Sequence, residues 1–336
     1  MKGQKYEKAV VTKIIKDNLA EDGSRYGTQK VLVKMTTGTY KGKEKQAINP
    51  SGTLFGADCK VGARIIVIVN KSGTNTGFTV YSQDRTMAIY GFALIFAAVV
   101  CAIGGKKGVY AILSLVFAFA CIIGIMFPMM YRGISPIVLT IIVAVLTTIV
   151  TLGLLGGYSS KTVSAILGTA IGVVIAAVAA MAFGKAAGIT GYNVSDIEAL
   201  NYVGQNTKIK IGELLFAGII ISALGAVMDV GMSIASTIQE IYETDKTLSM
   251  KRLFVSGINV GRDMMGTMTN TLIFAYVGGA MTTLVINYAY DLSYRQLANS
   301  YVIGIEIMQG LSGSLGVVLT VPITALIASF LAVRKK

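Results

Sequence analysis

The segment LLFAGIIISALGAVMDVGMSIASTI (214–238) is long and apolar enough to cross a bilayer, yet it carries a carboxylate, Asp229, well inside. A charged loop follows it. The chain then continues through GINVGRDMMGTMTNTLIFAYVGGA (257–280), which places Arg262 and Asp263 at or near the start of a further apolar segment. Charged groups at membrane depth cost several kcal/mol unless they are paired or hydrated. Each of them is therefore a candidate functional residue.

The composition is typical of a membrane protein. Of the 336 residues, 54% are hydrophobic and only 14% are charged, whereas soluble globular proteins have about 25% charged residues. His is absent, which removes the commonest general base and the commonest metal ligand. The three Cys residues follow no ligand spacing, so we expect no disulfide framework, metal site or cofactor. Trp is also absent, so tyrosines such as Tyr276 are expected to anchor the chain at the membrane interfaces.

Residues 1–86 differ from the rest of the chain, since they hold half of its 30 Lys and Arg and no apolar run of membrane length. Short β-rich runs alternate there with Gly, Asn and Pro turn signals, at 9–15, 30–36, 64–70 and 78–82. This pattern predicts a small all-β soluble domain, either an antiparallel, OB-like barrel or a sandwich. Its basic loop KGKEK (41–45) is expected to be the solvated tip of a hairpin. The alternative is that the loop contacts anionic lipid head groups. Nucleic-acid binding is not expected, because no aromatic residues are interleaved with Arg.

Residues 87–336 predict an all-α transmembrane bundle. Each apolar run has about the 20 residues that a bilayer core of about 30 Å requires, and none alternates with period two. We expect seven spans, approximately at 87–104, 109–127, 136–153, 163–183, 214–238, 264–288 and 315–333.

The connecting loops predict the orientation. Alternate loops carry ten Lys and Arg on one side and five on the other. The positive-inside rule then places the C-terminus in the cytoplasm and the β-domain outside. A basic domain without a signal peptide does not cross a membrane unaided, so we also expect a hydrophobic helix ahead of it, which would make eight spans.

Small or polar residues fall on one face of each of the two central spans, at intervals of three or four residues. On the fifth span they are Ser222, Gly225, Asp229 and Ser233; on the sixth they are Asp263, Thr267 and Asn270. Such faces are expected to meet protein or water rather than lipid. Arg262 lies about 100° from Asp263 around the helix and could pair elsewhere.

These residues allow more than one interpretation. Asp229 either forms a structural ion pair with Arg262 or handles an ion or substrate. Asp263 either caps or orients the start of its helix, where a carboxylate is favoured, or takes part in chemistry. Asn270 and Thr267 are also residue types that hydrogen-bond between membrane helices.

The last apolar stretch, 301–333, would be about 50 Å long as one helix, which exceeds the bilayer core. We expect a break at GLSGSLG (310–316) and a kink at Pro322, so that Glu306 lies on a short outer arm. Broken helices with polar ends are a feature of transporter sites. In the fourth span, Gly168 and Gly172 form a GxxxG pair that permits close helix approach.

Three long strings carry a resemblance to a known family: ISALGAVMDVGMSIAS (221–236), SGINVGRDMMGTMTNTLIFAYVGG (256–279) and GLSGSLGVVLTVPITALIA (310–328). In these the chain resembles the YibE/F-like family of bacterial multi-spanning membrane proteins. The resemblance covers nearly the whole chain. It implies a bacterial cytoplasmic-membrane protein, with a hydrophobic helix ahead of the β-domain, and carries no activity with it.

We expect a transporter or permease for an unknown small solute or ion. Its site would lie between spans 5, 6 and 7, lined by Asp229, Asp263, Asn270 and Glu306, and the carboxylates would bind a cation or carry a proton. The outer β-domain would gate the site or collect the solute. The alternative is a scaffold or regulatory partner of another envelope protein, and the chain could also pair with itself or with a paralogue in the bilayer. An enzyme is not expected, because no nucleophile motif or metal-ligand set is present.

Overall fold

The structure is a computed structural model, which describes residues 4–19, 27–50, 57–72, 75–194 and 196–334. The chain forms two compact units, residues 1–99 and 100–336. The sequence EDGS (21–24), one of the turn signals between the predicted strands, lies outside the described residues. So do Lys335 and Lys336, which are two of the ten Lys and Arg counted on the predicted cytoplasmic side.

Among the described residues of the first unit, five strands form a closed barrel. They are β1 (Gln4–Lys16), β2 (Gln29–Met35), β3 (Glu44–Asn49), β4 (Arg64–Ser72) and β5 (Asn75–Gln83). The strand order around the barrel is β1-β2-β3-β5-β4; β3 and β5 pair in parallel, and the other pairs are antiparallel. The predicted barrel is confirmed over the predicted sandwich.

The barrel interior follows the two-residue alternation of its strands. On β2, Gln29, Val31, Val33 and Met35 are buried, while Lys30 and Lys34 are exposed and Leu32 is half-buried. The interior also holds two side-chain amides, Gln29 and Asn49, which are hydrogen-bonded as buried polar groups usually are. Asn49 donates to the side-chain carbonyl of Gln29 at 3.0 Å and to the backbone carbonyl of Ala57 at 2.7 Å.

The remaining regular elements of the described chain are helices, joined by short loops. They are α1 (Thr86–Cys121), α2 (Phe127–Tyr131), α3 (Pro136–Gly156), α4 (Ser160–Ala187), α5 (Ile197–Asn206), α6 (Leu214–Thr244), α7 (Met250–Gly279), α8 (Met281–Ala289), α9 (Tyr294–Ala298) and α10 (Tyr301–Arg334). A π-helical turn, Ile122–Met126, joins α1 to α2, and a 3-10 turn, Ile211–Glu213, precedes α6.

Within the described residues, five helical segments are long and apolar enough to cross a membrane. They are Thr86–Tyr131, Pro136–Gly156, Ser160–Ala187, Ile211–Thr244 and Tyr301–Arg334. The pair α7 and α8, bent by 60° at a short break, makes a sixth if it counts as one span.

The first of these segments contains a sharp turn. Gly105 has φ 54° and ψ −132°, a backbone conformation that glycine adopts readily. Three residues later, the backbone of Gly108 lies against the carbonyl of Val100. A straight helix would separate Val100 from Gly108 by about 12 Å. The chain therefore folds back on itself at the sequence GGKKG (104–108).

The centre of the second unit is a close contact of α4, α6 and α10. A Cβ on Gly168 or Gly172 of α4 would collide with the hydroxyls of Thr324 and Thr320 on α10. On α6, a Cβ on Gly231 would lie 2.8 Å from the Thr169 hydroxyl of α4. Small residues allow backbones to approach closely, as membrane helices require.

The predicted break in the last span is wrong. Helix α10 runs without interruption from Tyr301 to Arg334 and contains Pro322. The glycines of GLSGSLG serve packing instead: a Cβ on Gly316 would lie 2.9 Å from Ala176 and 3.0 Å from the Gly172 carbonyl. The bent element is the α7–α8 pair, which is the membrane-capable element before α10.

Candidate functional site

The polar face of α6 points away from the bundle core. The opposite face is fully buried in the bundle and includes Val227, Ile234 and Ile238. Ser222, Gly225 and Asp229 are exposed, and Ser233 is half-buried. Asp229 lies 15 residues after Leu214, which is about 22 Å along the axis. The predicted grouping of these residues on one face is therefore present, on the outer surface of the single chain.

Helix α7 begins earlier than its hydropathy suggested. Ser249 caps it by accepting from the backbone N–H of Arg252, and the first residue is Met250. Asp263 is thus 13 residues into the helix, so the predicted capping role for Asp263 is wrong. Asp263, Thr267 and Asn270 are all exposed on one face, as their spacing predicted.

The loop between α6 and α7 is a short, polar turn. Asp245 accepts hydrogen bonds from the hydroxyl and the backbone N–H of Thr247, at 2.6 and 2.9 Å. These bonds stabilise the carboxylate and lower the pKa of Asp245. The turn holds the two helices antiparallel.

Contacts between α6 and α7 fix their relative depth. A Cβ on Gly261 would lie 3.2 Å from Ile234, and a Cβ on Gly257 would lie 2.7 Å from Ile238. Because the two helices run antiparallel with the same rise per residue, these contacts place Asp229 at the depth of Gly266. Asp229 and Asp263 therefore lie about one helical turn apart in depth.

The predicted ion pair between Asp229 and Arg262 does not form. Within the described part of the chain, neither side chain has an ion-pair partner within 4.0 Å or a hydrogen bond. Arg262 is exposed on the outward side of α7. Three charged side chains, Asp229, Arg262 and Asp263, thus lie in membrane-capable helices without an ion-pair partner among the described residues.

A pocket of about 280 Å³ lies between α7, α8 and α10. Its lining is mostly apolar and includes the polar side chains of Tyr276, Thr283 and Glu306. Glu306 is half-buried, and of the described lining residues it alone carries a formal charge at neutral pH. The 60° bend between α7 and α8 brings both helices to the pocket.

Tyr276 links this pocket to α6. Its hydroxyl donates a hydrogen bond to Ser222 Oγ at 2.8 Å. Ser222 begins the exposed polar face that continues to Asp229, seven residues further and about 10 Å along the helix. The pocket and the polar face therefore meet at one hydrogen bond.

Glu306 and Asp229 do not share a cavity. A Cβ on Gly313 of α10 would lie 3.4 Å from Ala223, and one on Gly316 would lie 3.4 Å from Val227. Since α6 and α10 run in the same direction, these contacts place Glu306 about 20 Å from Asp229 along the bundle. Among the predicted site residues, Glu306 lines the pocket; Asp229, Asp263, Asn270, Arg262, Ser233 and Thr267 do not.

Sequence reasoning missed two polar residues of the pocket, Tyr276 and Thr283. Tyr276 was expected only as an interfacial anchor, and Thr283 was not considered. The signal that could have found Tyr276 is its position on α7, beside the bend that follows Gly279. Of the described residues, no three His, Cys, Asp or Glu are grouped so as to hold a metal ion.

A family model described as YibE/F-like protein matches residues 92–334. The match covers the helical part of the chain and begins after the barrel. No curated protein matches the chain, and no solved structure matches it.

Proposed function

The chain belongs to the YibE/F-like family, and we propose that it is a transporter of the bacterial cytoplasmic membrane that binds a small cationic solute at Glu306. The observation that carries this proposal is the carboxylate itself. Glu306 is half-buried in a largely apolar pocket, and an uncompensated carboxylate in such surroundings attracts a cation or a proton.

The proposed topology has seven spans. The helix Thr86–Cys121, as a straight rod, would be about 54 Å long and would carry Lys106 and Lys107 into the bilayer interior. The turn at Gly105 instead supports two limbs with both lysines at one membrane surface. With α3, α4, α6, the α7–α8 pair and α10, this gives seven.

An odd number of spans separates the two termini. By the bias of Lys and Arg among the loops, the C-terminus lies in the cytoplasm and the barrel lies outside. The barrel has the strand order β1-β2-β3-β5-β4 with a parallel β3–β5 pair, which favours an OB-like fold. The Glu306 pocket, near the first turn of α6 in depth, then faces the outer side.

The lining of the pocket supports a substrate class. Tyr276 supplies an aromatic ring and a hydroxyl, and most of the other lining residues are apolar. An aromatic ring and a carboxylate both attract cations, and apolar walls favour an organic group. A volume of about 280 Å³ is close to the lower limit for ligand sites. A small alkylammonium ion satisfies these features, and a proton on Glu306 is the simpler alternative cargo.

The polar face of α6 supports a route through the bilayer. Ser222 accepts from Tyr276 at the pocket, and Asp229 lies about two turns deeper on the same face. A cation leaving Glu306 would reach Asp229 after passing Ser222 and Gly225. Asp229 is the second carboxylate of this route.

The exposure of this face favours the alternative function as well. A scaffold would use Asp229, Asp263 and Asn270 to hold another membrane protein, and all three are exposed. A scaffold has no use for a carboxylate inside a pocket, so cation binding at Glu306 separates the two functions.

Binding of n-butylammonium to the purified protein, compared with the neutral isostere n-butanol, tests the proposal. We expect n-butylammonium to bind and Glu306→Gln to weaken it at least tenfold, since hydrogen bonds to charged groups contribute about 1.5–3 kcal/mol. Gln309→Leu, one turn away on α10, is the matched control and should bind normally. Equal binding of the alcohol, or unchanged binding by Glu306→Gln, would refute the site.

A further inference from the structure

Helix α7 presents a polar outward face in the middle of its length. Its members are Asn259, Arg262, Asp263, Gly266 and Asn270, all exposed. They fall within about 100° of the helix circumference. The side chains of the four polar members have no hydrogen bond or ion pair with any other described residue. We call this set the α7 outward face.

Contact of this face with lipid has a high free-energy cost. The contacts of Gly257 and Gly261 with α6 place it at the depth of Asp229, near the middle of the α6–α7 pair. A single charged side chain at the centre of a bilayer costs about 2.5–3.5 kcal/mol on insertion scales. The α7 outward face carries two, so another polar surface must cover it in the membrane.

We propose that a second copy of this chain covers the α7 outward face, by packing its own α7 outward face against it about a two-fold axis normal to the membrane. Such an axis brings equal depths of the two copies together. Arg262 and Asp263 are adjacent in sequence and differ by about 1.5 Å in depth. Arg262 of each copy therefore meets Asp263 of the other, and both charge pairs are satisfied at once.

The shape of the face fits close approach. Gly266 lies between Arg262 and Asp263 around the helix, and a Cβ placed on it would have no atom within 4 Å. A glycine with open space in front of it lets the backbone of a second helix come close.

The two asparagines fit a symmetric partner. Asn259 and Asn270 lie one turn or more on either side of Arg262 and Asp263, toward the centre of the same face. An amide both donates and accepts, so across a two-fold axis each can bond with its own counterpart. Such bonds hold membrane helices together. A different protein would need a separate hydrogen-bonding group opposite each of the two asparagines.

This inference does not depend on transport. It requires only that α7 crosses the bilayer, and it concerns residues outside the Glu306 pocket. Cation binding could fail while the two copies still associate, and the reverse also holds.

Disulfide cross-linking in native membranes tests the interface. Gly266→Cys is placed in a chain whose three native cysteines are replaced by alanine, and the control is Leu319→Cys. Leu319 is exposed on α10 and lies at the depth of Asp229, but on another helix. A disulfide needs Cα atoms about 4.4–6.8 Å apart.

We expect Gly266→Cys to give a cross-linked dimer on oxidation and Leu319→Cys to give none. Equal cross-linking of both variants would mean random collision and would overturn the proposal. So would no cross-link at Gly266→Cys in inserted protein, or a cross-link to a different protein.

A charge exchange provides a second test. Arg262→Asp should reduce the dimer fraction in lipid nanodiscs at least tenfold, because like charges then face each other. Adding Asp263→Arg restores opposite charges across the two-fold axis and should restore the dimer. Inserted single and double variants that dimerise equally, or equally poorly, would contradict the pairing. If the single variant fails to insert, the cross-linking result decides.

Discussion

The hydroxyl of Tyr276 on α7 donates to Ser222 Oγ on α6 at 2.8 Å. Tyr276 also lines the pocket that contains Glu306. This bond therefore connects α6 to a residue that lines the pocket. It lies where the pocket meets the exposed face of α6 that continues to Asp229.

Removing this bond should destabilise the helix pair modestly. Tyr276→Phe and Ser222→Ala should each lower the free energy of unfolding by about 0.5–1.5 kcal/mol, the usual net value of one hydrogen bond. The double variant should cost little more than either single variant, since both remove the same bond. Thermal stability of the detergent-solubilised protein measures all three. Fully additive losses would show that the hydroxyls do not interact.

Two glycines of α10 should respond in opposite ways to alanine. At Gly316 a Cβ would lie 2.9 Å from Ala176, so Gly316→Ala should destabilise the bundle by about 1–3 kcal/mol. At Gly313 the nearest atoms, on Ala223 and Leu272, are 3.4 and 3.5 Å away. Gly313→Ala should thus be neutral or stabilising by up to about 1 kcal/mol, because alanine favours a continuous helix. A strongly destabilised Gly313→Ala would support a functional break there.

The barrel should lose stability in acid through Asp84. Its carboxylate accepts from the backbone N–H of Thr86 and pairs with Lys8 at 3.1 Å. Bonding to Thr86 and then to Lys8 lowers the pKa of Asp84 from 3.8 to about 2. Because this pKa is lowered in the folded state, the stabilisation is complete above about pH 4 and is lost as the pH falls towards 2.

Asp84→Asn should remove that part of the acid dependence. The near-ultraviolet signal of the Tyr6–Tyr81 pair, whose rings lie 5.1 Å apart, reports on the barrel during unfolding in denaturant. Glu44→Gln, exposed at the start of β3, is the control and should keep the wild-type dependence between pH 4 and 2. If Asp84→Asn also keeps the wild-type loss of stability between pH 4 and 2, a group other than Asp84 causes that loss.

Asp229→Asn should fold normally, because Asp229 has no ion pair to lose within the described chain. We expect wild-type yield and thermal stability, together with loss of n-butylammonium flux in proteoliposomes. Arg262→Gln is the comparison, measured for yield, thermal stability and n-butylammonium flux. Because Arg262 lies outside the proposed route, this variant should keep the wild-type flux. A folded and fully active Asp229→Asn would remove Asp229 from the route.

The barrel was predictable because its strands carry a regular signal. In β2 the buried Val31, Val33 and Met35 stand at every second position, with Lys30 and Lys34 on the other face, and that period indicates a strand with one buried face. Strand β3, EKQAIN (44–49), was missed because it begins with charges and has no β-branched run. Its pairing with β2 and β5 makes it a strand, and local sequence does not contain that information.

The helical part was predictable in its apolarity but not in its breaks. Hydropathy located the apolar cores of the spans, yet it placed the start of α7 near Met264, although Ser249 caps the helix 15 residues earlier. Glycines at 310–316 suggested a break, because sequence alone does not separate a glycine that ends a helix from one that lets another helix approach. The Ala176 contact of Gly316 decides between the two.

Transport currents from proteoliposomes on a solid-supported membrane test the central claim most directly. A concentration step of n-butylammonium, with Na⁺, K⁺ and a pH step as separate runs, should produce a current in at least one case. Glu306→Gln should abolish that current, and Gln309→Leu should retain it. A folded wild-type protein that gives no current for any of these cations, or a current that Glu306→Gln leaves unchanged, would contradict a transporter built around Glu306.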